Sequence, residues 1–456
     1  MLKPMYLSEV ASTLNAQVIG ADVAFAAVST DSRAVVPGQL FVALAGPRFD
    51  GHDYLAEVAA KGAVAALVER EVVGAPLPQL LVADTRLALG QLGSLNRQAF
   101  LAPVVAITGS SGKTTVKEML ASVLREGLQG PVLATRGNLN NDLGAPLTLL
   151  ELAPEHVAAV IELGANHVGE IAYTVNLTRP HVAVLNNAGT AHVGEFGGPE
   201  KIVQAKGEII EGLNDDGVIV LNLDDRAFAI WQQRAAGRQV RSFALQNSAA
   251  DVYASDLARD VRGCSAFTLH CAAGEARIQL NLLGEHNVAN ALAAAAAALA
   301  VGVAVSAIKV GLEALQPVKG RTVSQLANNG LRVIDDSYNA NPTSVCAAID
   351  ILAGFAGRRV LVLGDIGELG EWAEQGHRQV GQHAIGKVDA LYAVGPLMAH
   401  AVAEFGAAGR HFSDQASLIA ALQGEQGDTT VLIKGSRSAA MEKVVAALCG
   451  TSGEIH

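Results

Sequence analysis

Apolar runs and helical patterns alternate along most of the chain. Residues 104–107 form a continuous apolar run that leads into a Gly-rich turn, and a helical pattern follows over 116–124. Similar runs lie at 157–161, 182–185 and 218–221, and again at 331–334, 359–363, 390–394 and 431–433. Strands that alternate with helices predict parallel βαβ units. Residues 1–100 are more mixed, with shorter runs at 39–45 and 63–68. No repeat of fixed period is visible. The pattern divides the chain into three expected domains, 1–100, 101–316 and 317–456. Several strands of the last one end in Gly-containing corners, at 363–365, 394–396 and 434–436, and ligands of open α/β sheets sit at such carboxyl ends.

Residues 291–308 lack any charge, which meets the minimum length of a membrane span. The stretch is mostly Ala, which favours a helix but contributes little to insertion, so a helix packed inside a soluble domain and ending near Gly302 is expected. Composition agrees, since half of the 456 residues are hydrophobic, 17% are charged and 47 are Gly, as suits an α/β protein with many tight corners. A net charge of -11 argues against a broad nucleic-acid surface and supplies no polybasic membrane patch. Cys264, Cys271, Cys346 and Cys449 have neither metal-ligand nor disulfide-framework spacing, so a reducing cytoplasm is the expected compartment. Residues 1–10 carry Lys3, Pro4 and Glu9 and no apolar core of a signal peptide.

The turn after residues 104–107 carries the chemistry. Thr108, Gly109, Ser110, Ser111, Gly112, Lys113, Thr114 and Thr115 have the build of a phosphate cradle. Glycines let backbone N–H groups approach oxyanions, the helix N-terminus adds positive potential, Lys113 reaches the terminal phosphates and Thr114 can hold Mg²⁺. The common pattern has Gly six residues before the Lys, where this chain has Ile107. A nucleoside triphosphate is therefore the leading ligand, and the middle domain is expected to be a parallel-sheet, P-loop-type ATPase. Glu162 ends one apolar run, Asn186 and Asn187 follow another, and His192 is close behind; oxygen donors beside a triphosphate suit Mg²⁺. By position alone Glu162 also reads as a solvated loop acid and His192 as a loop histidine. Lys206 reads as a surface lysine on a helical pattern over 203–210. Asn287 and Asn290 share a helix face at i and i+3, with capping near Gly284 as the plain alternative. Residues 29–33, Ser-Thr-Asp-Ser-Arg, read equally as a hydroxyl-rich turn.

Taken together, the motifs resemble the Mur ligase family, which builds the peptide of bacterial cell-wall precursors. The ATP loop 108–115 matches, including its short glycine spacing. Glu162, His192 and Lys206 match the family's metal-and-carbamate series, and His286-Asn287-Val288-Ala289-Asn290, Gly320-Arg321 and residues 335–342 follow in family order. Residues 29–33, 41–43 and 50–52 resemble a uridine-diphosphate-binding first domain. The form of residues 335–341 and the corner 363–370 resemble the dipeptide-adding branch, with Ile366 where Met is common. The Asp-Asn-Pro-Arg motif of the amino-acid-adding neighbour is absent.

The resemblance implies a three-domain α/β fold with a Rossmann-like C-terminal domain. It also implies an ATP- and Mg²⁺-dependent ligase that joins D-Ala-D-Ala to a UDP-muramoyl tripeptide through an acyl phosphate, as a cytoplasmic monomer. Lys113 and the turn would hold the phosphates. Thr114 would bind one Mg²⁺, and Glu162, His192 and a CO₂-derived carbamate on Lys206 a second. Asn287, Asn290, Asp336 and Arg321, the last moving onto the γ-phosphate when the domains close, would complete the nucleotide site. Ser29, Thr30, Asp31, Ser32 and Arg33 would bind the UDP end, and Asn138, Asn140 and Asn141 the sugar. Asp365 would take the dipeptide's ammonium, and Lys434, Ser436 and Arg437 its carboxylate. A folylpolyglutamate synthase shares the ATP loop and the chemistry but lacks the UDP-type first domain. A nucleotide-driven switch has no need of a second metal site.

Overall fold

The computed structural model describes residues 1–47, 49–189, 193–260, 264–316, 320 and 322–450, without the side chain of residue 193. Three large sheets follow one another along the chain. The first has five strands in the order Gln17–Ile19, Gln79–Leu81, Ala65–Val68, Gln39–Val42, Ala27–Ser29. The runs expected at 39–45 and 63–68 supply two neighbouring parallel strands of it.

The second sheet has nine strands. Val104–Thr108 lies in its middle, flanked in parallel by Ala158–Glu162 and Val182–Leu185. All three strands are buried along their whole length, as a strand covered on both faces must be. The parallel pairing runs on through Val218–Asn222 and Gln239–Ala244 to Val252–Arg259. Two antiparallel strands, Cys264–Cys271 and Gly274–Leu283, extend the sheet further. These last were not expected from the apolar runs.

The Ala-rich stretch is the helix Glu285–Val301, closed by Gly302 in a left-handed conformation at φ 95°. Its residues Ala291–Ala298 are buried against the strands and the helix Lys113–Leu128. Small side chains allow that close packing on two sides. Among the described residues, no helix is long and apolar enough to cross a membrane.

The third sheet has six strands in the order Val323–Leu326, Arg332–Asp336, Thr429–Lys434, Arg358–Gly364, Ala390–Val394, Gly409–Phe412. All pairings but the first are parallel. The expected runs 331–334, 359–363, 390–394 and 431–433 each fall on a strand of this sheet. One apolar core is continuous from the middle sheet, through Ile161, Leu185 and Leu283, into the third region at Ile334, Val345, Ile351 and Leu432.

Candidate functional site

The carboxyl ends of the central strands carry the polar cluster. Val104–Thr108 ends in Thr108, whose buried hydroxyl donates to the Leu163 carbonyl (2.8 Å) and so ties two strand ends together. The chain then turns through Gly109 (φ 154°) and Gly112 (φ 78°). A Cβ at Gly112 would lie 2.6 Å from Asn186 Nδ2 and closer still to Asn290 Oδ1, so only glycine fits there.

Two asparagines at the end of Val182–Leu185 hold the turn in shape. Ser110 N–H donates to the Asn187 carbonyl (3.0 Å), and Ser111 N–H donates to Asn187 Oδ1 (2.9 Å). Asn186 Nδ2 donates to the Ser111 carbonyl and to Asn290 Oδ1, both at 3.0 Å. Asn290 in turn donates to Asn287 Oδ1 (3.0 Å), and Asn287 Nδ2 to the Leu283 carbonyl (2.8 Å). The two helix asparagines thus belong to one chain of amides that ends on the phosphate-type turn, rather than to a simple cap. Lys113 Nζ donates to the Gly109 carbonyl across the mouth of the turn (2.7 Å). Thr115 is half-buried in the first helical turn beside it.

Glu162 is 2% exposed, so it is not a solvated loop acid. Its Oε2 accepts from the Thr114 hydroxyl (2.9 Å) and its Oε1 from Asn140 Nδ2 (2.8 Å). Its backbone N–H donates to Thr135 Oγ1 (2.9 Å). A hydroxyl and a carboxylate side by side form a hard-oxygen donor pair, which suits Mg²⁺.

Lys206 corrects the expectation drawn from its position alone. It is 1% exposed, at the end of the helix Pro199–Gly207, with its ammonium 5.2 Å from the Phe196 ring centre and 3.5 Å from the Ala165 carbonyl. Burial, and then the positive charge of Lys113, bring its pKa down to about 7. The influence of Lys113 puts the two amines in one electrostatic neighbourhood. His192 and Arg321 lie outside the described residues, while Gly320, next to Arg321, accepts from Tyr338 N–H (3.1 Å).

On the third sheet, Asp336 and Lys434 meet. Lys434 Nζ is 2.7 Å from Asp336 Oδ2 and donates to the Asn339 carbonyl (2.8 Å). Thr322 Oγ1 donates to Asp336 Oδ1 (3.1 Å). The half-buried His286 feels both charges, and burial holds its pKa below the ordinary value. His286 opens the motif that contains Asn287 and Asn290, yet residue type alone did not single it out.

Asp365 Oδ1 accepts from Met398 N–H at the start of a helix (2.9 Å), and its carbonyl accepts from Ser436 N–H (3.0 Å) and Oγ (2.6 Å). Asp365 and Ser436 are therefore joined, Lys434 is turned toward Asp336, and the exposed Arg437 lies 6.0 Å over the Tyr338 ring.

In the first domain, Arg33 clasps Asp31 through Nε and NH2 at 2.9 and 2.8 Å, which lowers the Asp31 pKa to about 2. Ser29 Oγ donates to the Asp31 carbonyl (3.2 Å), Lys61 Nζ to the Ser32 carbonyl (2.8 Å), and Thr30 is half-buried between them. The three asparagines of residues 138–141 divide. Asn140 reaches Glu162, and Asn141 Oδ1 accepts from Gly144 N–H (2.8 Å) at the start of the helix Gly144–Leu150. Asn138 is exposed, with its carbonyl accepting from Asn140 N–H (2.8 Å). That helix packs against the strand Ala27–Ser29, whose last residue opens the 29–33 turn.

Three family models cover most of the chain. They are the Mur ligase family catalytic domain over 24–97, the Mur ligase middle domain over 107–298, and the Mur ligase glutamate ligase domain over 320–437. The UDP-N-acetylmuramoyl-tripeptide–D-alanyl-D-alanine ligase of Escherichia coli K12 is 48% identical over 97% of this chain and 98% of its own length. A crystal structure of MurF from Acinetobacter baumannii superposes with a TM-score of 0.92 at 42% identity, covering 98% of each chain. MurF ligase from Thermotoga maritima in complex with ADP gives 0.84 at 28% identity, covering 92% of this chain and 96% of that one.

Proposed function

The chain belongs to the Mur ligase family, and from that premise we propose that it joins D-alanyl-D-alanine to UDP-N-acetylmuramoyl-tripeptide at the expense of ATP. The observation that carries the reading is the pairing of Thr114 with Glu162 at the mouth of the phosphate-type turn, in a chain 48% identical end to end to a dipeptide-adding ligase.

A peptide carboxylate is a poor electrophile, because its charge repels nucleophiles and oxide is a bad leaving group. Transfer of the γ-phosphoryl group to one carboxylate oxygen gives an acyl phosphate and ADP. The dipeptide amine then attacks the acyl carbon, loses a proton, and the tetrahedral adduct expels phosphate to leave the amide. The first step needs alignment and neutralisation of charge. Lys113 and the backbone of residues 109–114 supply both. Asn186 and Asn187 keep the turn preformed, so little reorganisation is needed when phosphate arrives. Thr114 would hold one Mg²⁺ on the phosphates, and Glu162, with His192 and a Lys206 carbamate, a second that would offset the repulsion between the two anions that must meet.

Lys206 takes the role of a carbamate. With a pKa near 7, a large share of its amine is uncharged at neutral pH and can attack CO₂, forming the N–C bond and releasing a proton. The product would be an anionic oxygen donor within the electrostatic influence of Lys113. His192 joins Glu162 and Lys206 in the metal set, and Arg321 closes on the γ-phosphate. Asn287, Asn290 and Asp336 complete the nucleotide side. The UDP end meets residues 29–33, and the sugar meets Asn138, Asn140 and Asn141. The dipeptide meets Asp365, Ser436, Lys434 and Arg437. The enzyme works as a monomer in the cytoplasm, in keeping with its four free cysteines. Residues 1–100, 101–316 and 317–456 bind the UDP substrate, ATP, and the dipeptide together with the closing face of the ATP site, respectively.

The test is phosphate release with ATP, UDP-muramoyl-tripeptide and D-Ala-D-Ala, each omitted in turn. Release is expected only with all three. Glutamate in place of the dipeptide should give none, and turnover with it would transfer the reading to a folylpolyglutamate-type ligase.

A further inference from the structure

Lys117 lies one turn beyond Lys113 on the same face of the helix Lys113–Leu128. Its side chain is 2% exposed. Its Nζ is 2.5 Å from the Thr135 carbonyl oxygen and 2.9 Å from Glu118 Oε1. Taking an ammonium out of water is costly, and a buried ion pair is often no more stable than apolar side chains of the same volume. Leu120, three residues on and on the same face of the helix, is buried and apolar. The charge needs a reason other than stability.

The carbonyl that Lys117 holds supplies one. Thr135 is where the chain leaves the strand Val132–Ala134 for the loop with Asn138, Asn140 and Asn141. Thr135 N–H donates to the Val160 carbonyl (3.1 Å), and its hydroxyl accepts from Glu162 N–H (2.9 Å). Asn140, five residues on, returns to the Glu162 carboxylate, whose other oxygen meets Thr114. The helix therefore grips this loop twice. Its first turn does so through Thr114, Glu162 and Asn140, and its second through Lys117 and Thr135.

We propose that Lys117 is a positioning residue that ties the nucleotide helix to the 135–141 loop, so that nucleotide at Lys113 and Thr114 sets the loop that receives the muramoyl-peptide substrate. The ammonium suits this task because it donates along more than one direction and holds a carbonyl more strongly than a neutral donor does. The assignment of that substrate to the loop rests on the function proposed above.

Lys117→Met tests the tie through initial rates against each substrate and hydrogen exchange of the 135–141 amides. The KM for UDP-muramoyl-tripeptide should rise by about tenfold or more, as for loss of an outer partner that orients a direct ligand. The KM for ATP and for D-Ala-D-Ala should hold, and exchange over 135–141 should speed up while strand 158–162 keeps its protection. An unchanged KM for the muramoyl substrate, or equal rises for all three, overturns the proposal. Wild-type protein provides a second arm that needs no variant. A non-hydrolysable ATP analogue with Mg²⁺ should slow exchange over 135–141, and no change there overturns the tie as well. Wild-type turnover, measured first, separates a failure of the ligase reading from a failure of the tie, because the exchange arms need no product.

Discussion

Burial of Lys206 makes its charge state depend on pH near neutrality, which gives a prediction with a definite sign. The unfolded lysine titrates near ~10.4, and the folded one near 7. Between those values the unfolded chain holds a proton that the native state lacks, so stability rises with pH across the window. In buffer free of CO₂ and metal, Lys206→Met should therefore be more stable than wild type at pH 6, by roughly 2–5 kcal/mol. The difference should shrink toward zero as pH approaches about 10, and denaturant melts at several pH values would read it. A difference that stays flat with pH would contradict a buried, titrating amine. Bicarbonate with Mg²⁺ at pH 8 should stabilise wild type but not the methionine variant. In activity, Lys206→Ala should lose turnover and recover part of it with added short-chain carboxylates; a loss without recovery would remove the carbamate role. Glu162→Gln keeps the size and the Asn140 contact but loses the charge. It should raise the Mg²⁺ needed for half-activation by about tenfold or more, with much less effect on the dipeptide's KM.

Among the elements, the turn 109–112 and its helix tolerate the least change. Gly112→Ala puts a methyl group against Asn186 and Asn290 at φ 78°, where an L side chain is already strained. The expected cost is about 1–3 kcal/mol of stability, with ADP affinity falling further as the amide chain from Asn287 to Ser111 is pushed apart. Calorimetric titration with ADP would measure it. Unchanged affinity would mean that these amides do not shape the phosphate site. Most of this turn was legible in the sequence, because a buried strand, a Gly-rich corner and Lys-Thr is a local pattern. The parallel strands were legible for a similar reason, since both of their faces are covered and they read as continuous apolar runs. The strand Val252–Arg259 and the two antiparallel strands that follow it, Cys264–Cys271 and Gly274–Leu283, were not. Asp256, Arg259, Glu275 and Arg277 interrupt them on the exposed face, and the register slips between Ser255 and Ala258. Position also misled at Lys206 and said nothing at Lys117. Each sits on a helix that looks polar in sequence, and each is buried by contacts with distant segments, Phe196 and Thr135, that no local pattern encodes.

At the scale of the whole molecule, the proposed nucleotide residues come from the regions of two sheets, so the seam between them bears on when the proposed site is complete. The apolar core already continues across it. At the rim, residues from the two sides approach closely, leaving no room for a side chain at Gly194 and little at Gly189. A Cβ at Gly194, two residues past His192, would lie 2.5 Å from the Gly370 nitrogen, and one at Gly189 would lie 3.1 Å from Thr343 Oγ1. Glu162 ends a strand of the middle sheet and Lys113 and Lys206 lie on helices of the same region, whereas Asp336 and the Gly320 corner come from the third. An acyl phosphate formed between them must be kept from water until the dipeptide amine attacks. If the third domain seats fully only on the loaded site, small-angle scattering should show a smaller radius of gyration with nucleotide and muramoyl substrate than without them. Gly194→Val should wedge the rim. Its clash is with the backbone of Leu369, whose buried side chain belongs to the shared core, so the melting temperature should fall. The apparent KM for ATP should rise by about tenfold, and the compaction on loading should disappear. Compaction equal to that of wild type would place the closing motion elsewhere, and identical wild-type profiles with and without ligands would mean that the seam is already shut before substrate arrives.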